Sequence, residues 1–341
     1  MRDVALTLCV AALGALAATS AGLPAGPLLG AAVAVTALAL AGRRARVPPR
    51  LRDLAFAAIG ITLGAGIGPD VLSDLARWPL SLAVLGAVIA LTMTVSSALL
   101  RRGGMEGGTA LLAISPGALS VALSLSEETG RDTRAVAILQ AVRLLALTVA
   151  LPPLLAATAG AGRDVVAPPA AVDTGYVVGT GLLAAAVAGG WAGARLGVPA
   201  SHLLAGFAIS GAAHAAGLLE GRLPAPAAFA GFAVAGAVIG ARFGGVTAAE
   251  LRRRARAGLA LTVLATAIAA AGAGLVAAAL GMPFGQVMIA FAPGGVESMA
   301  AMALFLGYDP VYVGVHHVAR IVALIALLPW LLSRMPRQPP P

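Results

Sequence analysis

Phe291-Ala292-Pro293-Gly294-Gly295-Val296-Glu297-Ser298-Met299-Ala300 interrupts an apolar run, and a fainter copy, Ile114-Ser115-Pro116-Gly117-Ala118-Leu119-Ser120, interrupts another. Proline followed by glycine stops a helix, and the restart leaves backbone N–H groups without intrahelical partners. Inside a membrane such groups are tolerated only where they face protein or a water-filled cavity. The restarting half-helix carries partial positive charge at its N-terminus, a favourable place for an anion. The two breaks stand 177 residues apart, 293 against 116. At that same offset Gly130 matches Gly307, Asp132 matches Asp309, Val136 matches Val313, Arg143 matches Arg320 and Pro152 matches Pro329. Upstream, Leu23-Pro24-Ala25 recurs as Val198-Pro199-Ala200, and Leu63-Gly64-Ala65 as Ile239-Gly240-Ala241. Chance matches alanines and leucines in so biased a sequence; it does not match Pro-Gly, Gly, Asp, Arg and Pro in one register. The chain reads as an internal duplication, with a first membrane repeat at 1–158, a linker at 159–174, a second repeat at 175–333 and a tail at 334–341.

Composition says what kind of duplication. Of 341 residues 60% are hydrophobic and 11% charged, with a mean hydropathy of +0.95. A soluble protein carries about 25% charged residues. These values exclude a soluble enzyme, a disordered chain and a disulfide scaffold, the last also because Cys9 is alone. Apolar segments fall at 4–22, 27–42, 53–68, 79–100, 108–126 and 135–158, then at 176–195, 199–219, 226–243, 257–280, 284–305 and 311–332. Such runs suit a bilayer core of about 30 Å. The net charge of +9 comes entirely from arginine, clustered between apolar runs. That is the bias of cytoplasmic loops, and no soluble basic module is present to bind nucleic acid directly.

The arginine bias switches between the halves. In the first, Arg43, Arg44, Arg46, Arg50 and Arg52 fill the second-to-third loop, while the third-to-fourth carries Asp70 and Asp74 against Arg77. In the second, the second-to-third loop has Glu220 and Arg222, and the third-to-fourth has Arg252, Arg253, Arg254 and Arg256 against Glu250. Opposite bias in equivalent loops implies opposite sides of the membrane, hence inverted repeats. Inversion needs an odd number of crossings per half, and the segments broken by Pro-Gly are the natural ones not to cross. The predicted fold class is therefore an all-α polytopic membrane protein. It has two inverted repeats of about five crossing helices, each with a broken or re-entrant segment, similar to inverted-repeat secondary transporters. Both termini are expected in the cytoplasm, with Arg334 and Arg337 in the tail.

Chemistry concentrates near the breaks. Pro116, Gly117, Pro293, Gly294 and Gly295 expose half-helix ends to a substrate. Arg143 and Arg320 lie mid-span, where an arginine costs about 2.5–3.5 kcal/mol on insertion scales and needs a partner. Each is either an anion ligand or a donor to the broken-helix carbonyls. His316 lies four residues before Arg320, on its face of the helix; His317 lies three before, where the first half has Gln140. Both are candidates for proton relay or for satisfied interior positions. Glu297, beside Ser298, is the carboxylate inside a membrane segment, a candidate for proton or cation coupling or for a cap contact. Asp132 and Asp309 read as N-caps, His202 and His214 as structural. No metal or cofactor set is apparent, four histidines being a poor basis for copper or iron.

The Pro293–Ala300 element, the Gly307–Asp309 spacer and the His316-His317-x-x-Arg320 helix resemble the AbrB family of bacterial membrane proteins, distinct from the small soluble DNA-binding regulator of that name. Ser298 between Glu297 and Met299, and Ser120 where the second half has Glu297, depart from the pattern. The resemblance implies a fold similar to inverted-repeat antiporters and bile-acid symporters, and a link to regulation of gene expression. The family has also carried the label ammonia monooxygenase, which these residues do not support. The expected function is secondary transport of a small, anionic solute across the bacterial inner membrane, without enzymatic activity. The alternative is a membrane sensor or regulator acting indirectly on gene expression. Partners on this reading are the bilayer, the solute, a coupling proton or cation, and a second copy in a homodimer.

Overall fold

The structure, a computed structural model, describes residues 2–67, 78–117, 119–158, 173–198 and 200–335. The Asp70/Asp74/Arg77 loop, most of the 159–174 linker, Pro199 and Arg337 lie outside the described residues. Those described contain fourteen helices. The first half supplies α1 (Arg2–Ser20), α2 (Gly26–Leu40), α3 (Pro49–Gly64), α4 (Trp78–Arg102), α5 (Gly107–Ile114), α6 (Leu119–Glu128) and α7 (Thr133–Thr158). The second supplies α8 (Gly175–Arg195), α9 (Ser201–Ala215), α10 (Ala225–Ala241), α11 (Ala248–Leu280), α12 (Phe284–Phe291), α13 (Val296–Phe305) and α14 (Pro310–Ser333). Six of them, α1, α4, α7, α8, α11 and α14, are long and apolar enough to cross a membrane. Each interrupted segment is two short helices, α5/α6 and α12/α13, parted at Pro116-Gly117 and at Pro293-Gly294-Gly295.

Helix boundaries follow local chemistry. Asp132 caps α7 by accepting from the Ala135 amide at 2.8 Å, and Asp309 caps α14 by accepting from Val311 at 2.7 Å, with Pro310 as its first residue. Thr247 and Glu250 close a reciprocal capping box on α11. Glu106 caps α5, accepting from the amides of Gly108 and Thr109 and pairing with Arg131. Ala25 and Ala200, each just ahead of its helix, both hold left-handed backbone at φ 54° and 50°.

The chain forms two compact units, neither confined to one half of the sequence. The first comprises residues 1–78, 148–245 and 297–314; the second comprises 79–147, 246–296 and 315–341. In the first unit α3 packs parallel to α9, pairs 60/203, 64/207 and 67/211 advancing together. α2 packs in the same way on α10 through 28/236 and 32/240. A Cβ on Gly60 would strike the Leu203 carbonyl, and one on Gly236 would strike the Leu28 carbonyl. Backbones approach this closely only across small residues, the usual device of membrane helix packing. Alanine-rich clusters fill the remainder, among them Ala11, Ala15, Ala31, Val35, Ala233 and Ala237.

The second unit gathers α4, α5, α6, α11, α12 and the greater parts of α7 and α14. Its core includes Met93, Leu112, Val136, Leu139, Leu324 and Leu328. Exposed leucines and valines such as Leu13, Leu91, Val177 and Val263 face outward from α1, α4, α8 and α11, whereas α7 and α14 are largely enclosed. The two helices that carry the deep arginines are thus interior ones.

Candidate functional site

Each break in the second unit is stitched by an arginine. Arg143 donates from Nη1 to the Ile114 carbonyl at 2.9 Å and from Nη2 to the Ser115 carbonyl at 3.0 Å. Arg320 donates from Nη1 to Ala292 and from Nη2 to Gly294, both at 2.7 Å. The carbonyls lie at the end of the stopping helix or in the break just beyond it, where the intrahelical ladder supplies no donor, and a guanidinium forks across two of them better than any other side chain. Of the two readings open for these arginines, the geometry displays the carbonyl bond. The charge itself is retained, so each break has a positive centre built into it.

The supporting contacts also recur. Gln140 Nε2 donates to the Leu112 carbonyl at 2.8 Å, and His317 Nε2 lies 3.0 Å from the Ile289 carbonyl. Arg143 Nη2 lies 3.5 Å from Gln140 Oε1, and Arg320 Nη2 lies 2.6 Å from His317 Nδ1. An arginine N–H can only donate, so Nδ1 accepts and the His317 proton sits on Nε2, giving a neutral ring. Here the structure corrects the helical-face argument. The ring that meets Arg320 is His317, three residues back, because the long side chain folds toward the preceding turn. His316 points elsewhere, with Nε2 2.5 Å from Ser81 Oγ and its ring beside Phe291.

The two breaks come together. A Cβ on Gly117, whose φ is +80°, would lie 2.9 Å from Arg320 Nη2. Glycine alone accepts both that backbone and that proximity. A small cavity of about 10 Å³ is lined by Pro116, Pro293, Phe291 and Arg320, with Thr92 and Ala265 from the flanking helices. The second break therefore shares its space with the first.

Not every residue marked in the sequence joins this group. Pro116, Gly117, Arg143, Pro293, Gly294, Gly295, His316, His317 and Arg320 belong to the second unit, whereas Glu297 and Ser298 belong to the first. There the buried Glu297 carboxylate lies 3.9 Å from the Arg242 guanidinium, an ion pair rather than a cap contact. His202 Nδ1 lies 4.0 Å from Asp53 in the same unit, and His214 is held by the carbonyls of Ser210 and Gly221. Sequence reasoning overlooked Ser81, Thr92 and Ser96, which stand in an apolar helix where hydroxyls carry a signal only through their shared face. It also overlooked Arg242, whose position at the end of α10 resembles any loop arginine. The described residues hold no group of three or more His, Cys, Asp or Glu able to bind a metal.

Among the described residues, an all-helical fold with six helices of membrane-crossing length, two of them carrying arginines stitched to broken helices, defines the class. The chain belongs to the AbrB family, matching the family description "Transition state regulatory protein AbrB" over residues 27–335. It is similar to "Uncharacterized protein YhjN" of Bacillus subtilis (strain 168), with 27% identity over 296 residues, covering 80% of this chain and 75% of that one. It is also similar to "Putative regulator AbrB" of Escherichia coli (strain K12), with 29% identity over 124 residues, 36% of each chain. None of these descriptions indicates an enzyme.

Proposed function

We propose that this protein is an inner-membrane secondary transporter of a small anionic solute, built from two inverted repeats. The observation that carries the reading is the convergence of two helix breaks on one cavity lined by Pro116, Pro293 and Arg320. Paired broken helices with half-helix N-termini at a shared site are the arrangement through which alternating-access transporters hold a charged solute. The restart after Gly117, together with the charge of Arg320, supplies a positive field without a metal. Glu297, buried against Arg242, is the group through which a proton couples to flux on this reading.

Inversion is supported by the parallel packing of α3 on α9 and of α2 on α10. An uninterrupted count of twelve crossings makes both pairs antiparallel; a non-crossing broken segment in each half makes them parallel. Cysteine labelling with Cys9 replaced tests it: positions 48 and 249 are both reached from the cytoplasm, and periplasmic labelling at 249 alone rejects inversion.

The function itself is tested by thermal stability of the purified protein against small carboxylates, phosphates and amines, since a ligand stabilises by RT ln(1 + [L]/Kd). An anion that raises Tm is then followed for uptake into proteoliposomes. Uptake that depends on a pH gradient in wild type, and loses that dependence in Glu297→Gln, supports the transporter. The description of the Escherichia coli relative as a regulator favours a second reading, a sensor that acts on gene expression indirectly. Binding without uptake selects the sensor.

A further inference from the structure

A second cavity lies beside the first break, sharing Thr92 and Ala265 with the cavity lined by Arg320. It has a volume of about 20 Å³, room for one ligand of water size. Its walls come from α4 (Thr92, Ser96), the end of α5 (Ala113, Ile114), Arg143 of α7, and Thr262 of α11, all in the second unit.

Ser96 is the telling residue. It is 1% exposed, and its hydroxyl has no hydrogen-bond partner in the structure. Its neighbours on the same helix behave otherwise: Thr94 donates back to the Ala90 carbonyl at 2.7 Å, and Ser97 donates to the Thr94 carbonyl at 3.2 Å. Serines and threonines in apolar helices ordinarily find such a backbone acceptor. Ser96 instead lines the cavity with its hydroxyl unpartnered, and a buried hydroxyl left unsatisfied is costly. Thr262, on the opposite wall, already donates to the Gly258 carbonyl at 2.7 Å.

The electrostatics select the occupant. The charged group on the wall is the Arg143 guanidinium, fixed there by the Ile114 and Ser115 carbonyls. In a low-dielectric surrounding a fixed positive charge repels a cation and draws an anion. The groups with hydrogens available, Ser96 and Thr92, are hydroxyls, which donate well to a spherical acceptor.

We propose that this cavity binds one monovalent anion of halide size, held by the hydroxyl of Ser96 and the charge of Arg143, and that this anion is a resident counter-ion rather than the transported solute. The site does not depend on flux, so it stands or falls separately from the transporter reading.

Bromide is the probe. Full-length protein in detergent is melted in rising sodium bromide, with sodium gluconate holding ionic strength constant. Wild type shows a saturable rise in Tm. Ser96→Ala moves the half-saturating bromide concentration upward by about tenfold or more, the scale of one lost charge-assisted hydrogen bond. Thr94→Ala, which removes a hydroxyl already satisfied by its own helix, leaves the bromide response unchanged. Anomalous diffraction from bromide-grown crystals places a single peak within hydrogen-bond distance of Ser96 Oγ. A wild-type Tm indifferent to bromide, an unaltered response in Ser96→Ala, or a non-anomalous water in the cavity overturns the proposal. Should Ser96→Ala fail to fold, Thr92→Val and the wild-type anomalous map decide the question by the same criteria.

Discussion

Arg320 is 1% exposed, yet its charge is stable in the interior because the helix that should have absorbed the carbonyls of Ala292 and Gly294 has been broken for it. Hydrogen bonds to a charged group contribute about 1.5–3 kcal/mol each, and Arg320 makes two to carbonyls and one to His317. Arg320→Gln is therefore expected to lower stability by about 3 kcal/mol or more, read as a fall in apparent Tm of the detergent-solubilised protein. Arg320→Lys should fall between the two, because one ammonium cannot fork across both carbonyls. A wild-type Tm in Arg320→Gln would show that the carbonyls find other partners. Glu106 provides a case that titrates. Its burial opposes the charged form, but the amides of Gly108 and Thr109 and the guanidinium of Arg131 outweigh it, holding the carboxyl below its ordinary 4.5. A depressed value contributes stability that is present above about pH 4.5 and lost as pH falls through the folded-state value. Glu106→Gln should accordingly lower Tm at pH 7, with the deficit shrinking below pH 4.5 in a pH series of melts.

At the scale of helices, contact between α3 and α9, and between α2 and α10, depends on glycine at the crossing points. Gly60 meets Leu203 and Gly236 meets Leu28 with carbonyl oxygen where a methyl group would sit, and the surrounding contacts recur pair by pair between the two crossings. Gly60→Ala and Gly236→Ala must each push a helix away from its partner. Overpacking of this kind costs about 1–3 kcal/mol, and the similarity of the two crossings predicts similar costs. Gly86, inside α4, has nothing within 4 Å of an added Cβ. Gly86→Ala should be neutral or stabilising by up to about 1 kcal/mol, since alanine is the better helix former. Thermal melts of the three variants side by side test the argument, and equal losses in all three would refute it.

For the whole molecule, the consequence is that neither half has its partners within itself. α3 lies on α9 and α2 on α10, so each half contributes helices to the first unit that pack on helices of the other half. The second unit likewise joins α4 to α7 with α11, α12 and α14. Residues 1–160 expressed alone should be degraded or aggregate, as should 170–341. The two expressed together should assemble into a complex that purifies through a tag on either. Stable accumulation of one half by itself would contradict the shared packing.

The sequence by itself determined the all-helical, membrane-suited class, the helix positions to within a few residues in most cases, both Pro-Gly breaks and the caps at Asp132 and Asp309. These are local properties: apolar run length, a proline that cannot continue a helix, an aspartate that satisfies free amides. The α11 segment begins nine residues earlier than its apolar run, at Ala248 rather than 257, because the capping box at Thr247 and Glu250 sustains a charged first turn. Tertiary structure alone decided the partners. It set His317 rather than His316 against Arg320, assigned Glu297 to Arg242 in a different unit from Pro293, and left Ser96 lining a cavity. The physical reason lies in the composition. Where most helix faces are stripes of alanine and glycine, many pairings are equally apolar, and only the fit of one backbone into another's small residues chooses among them.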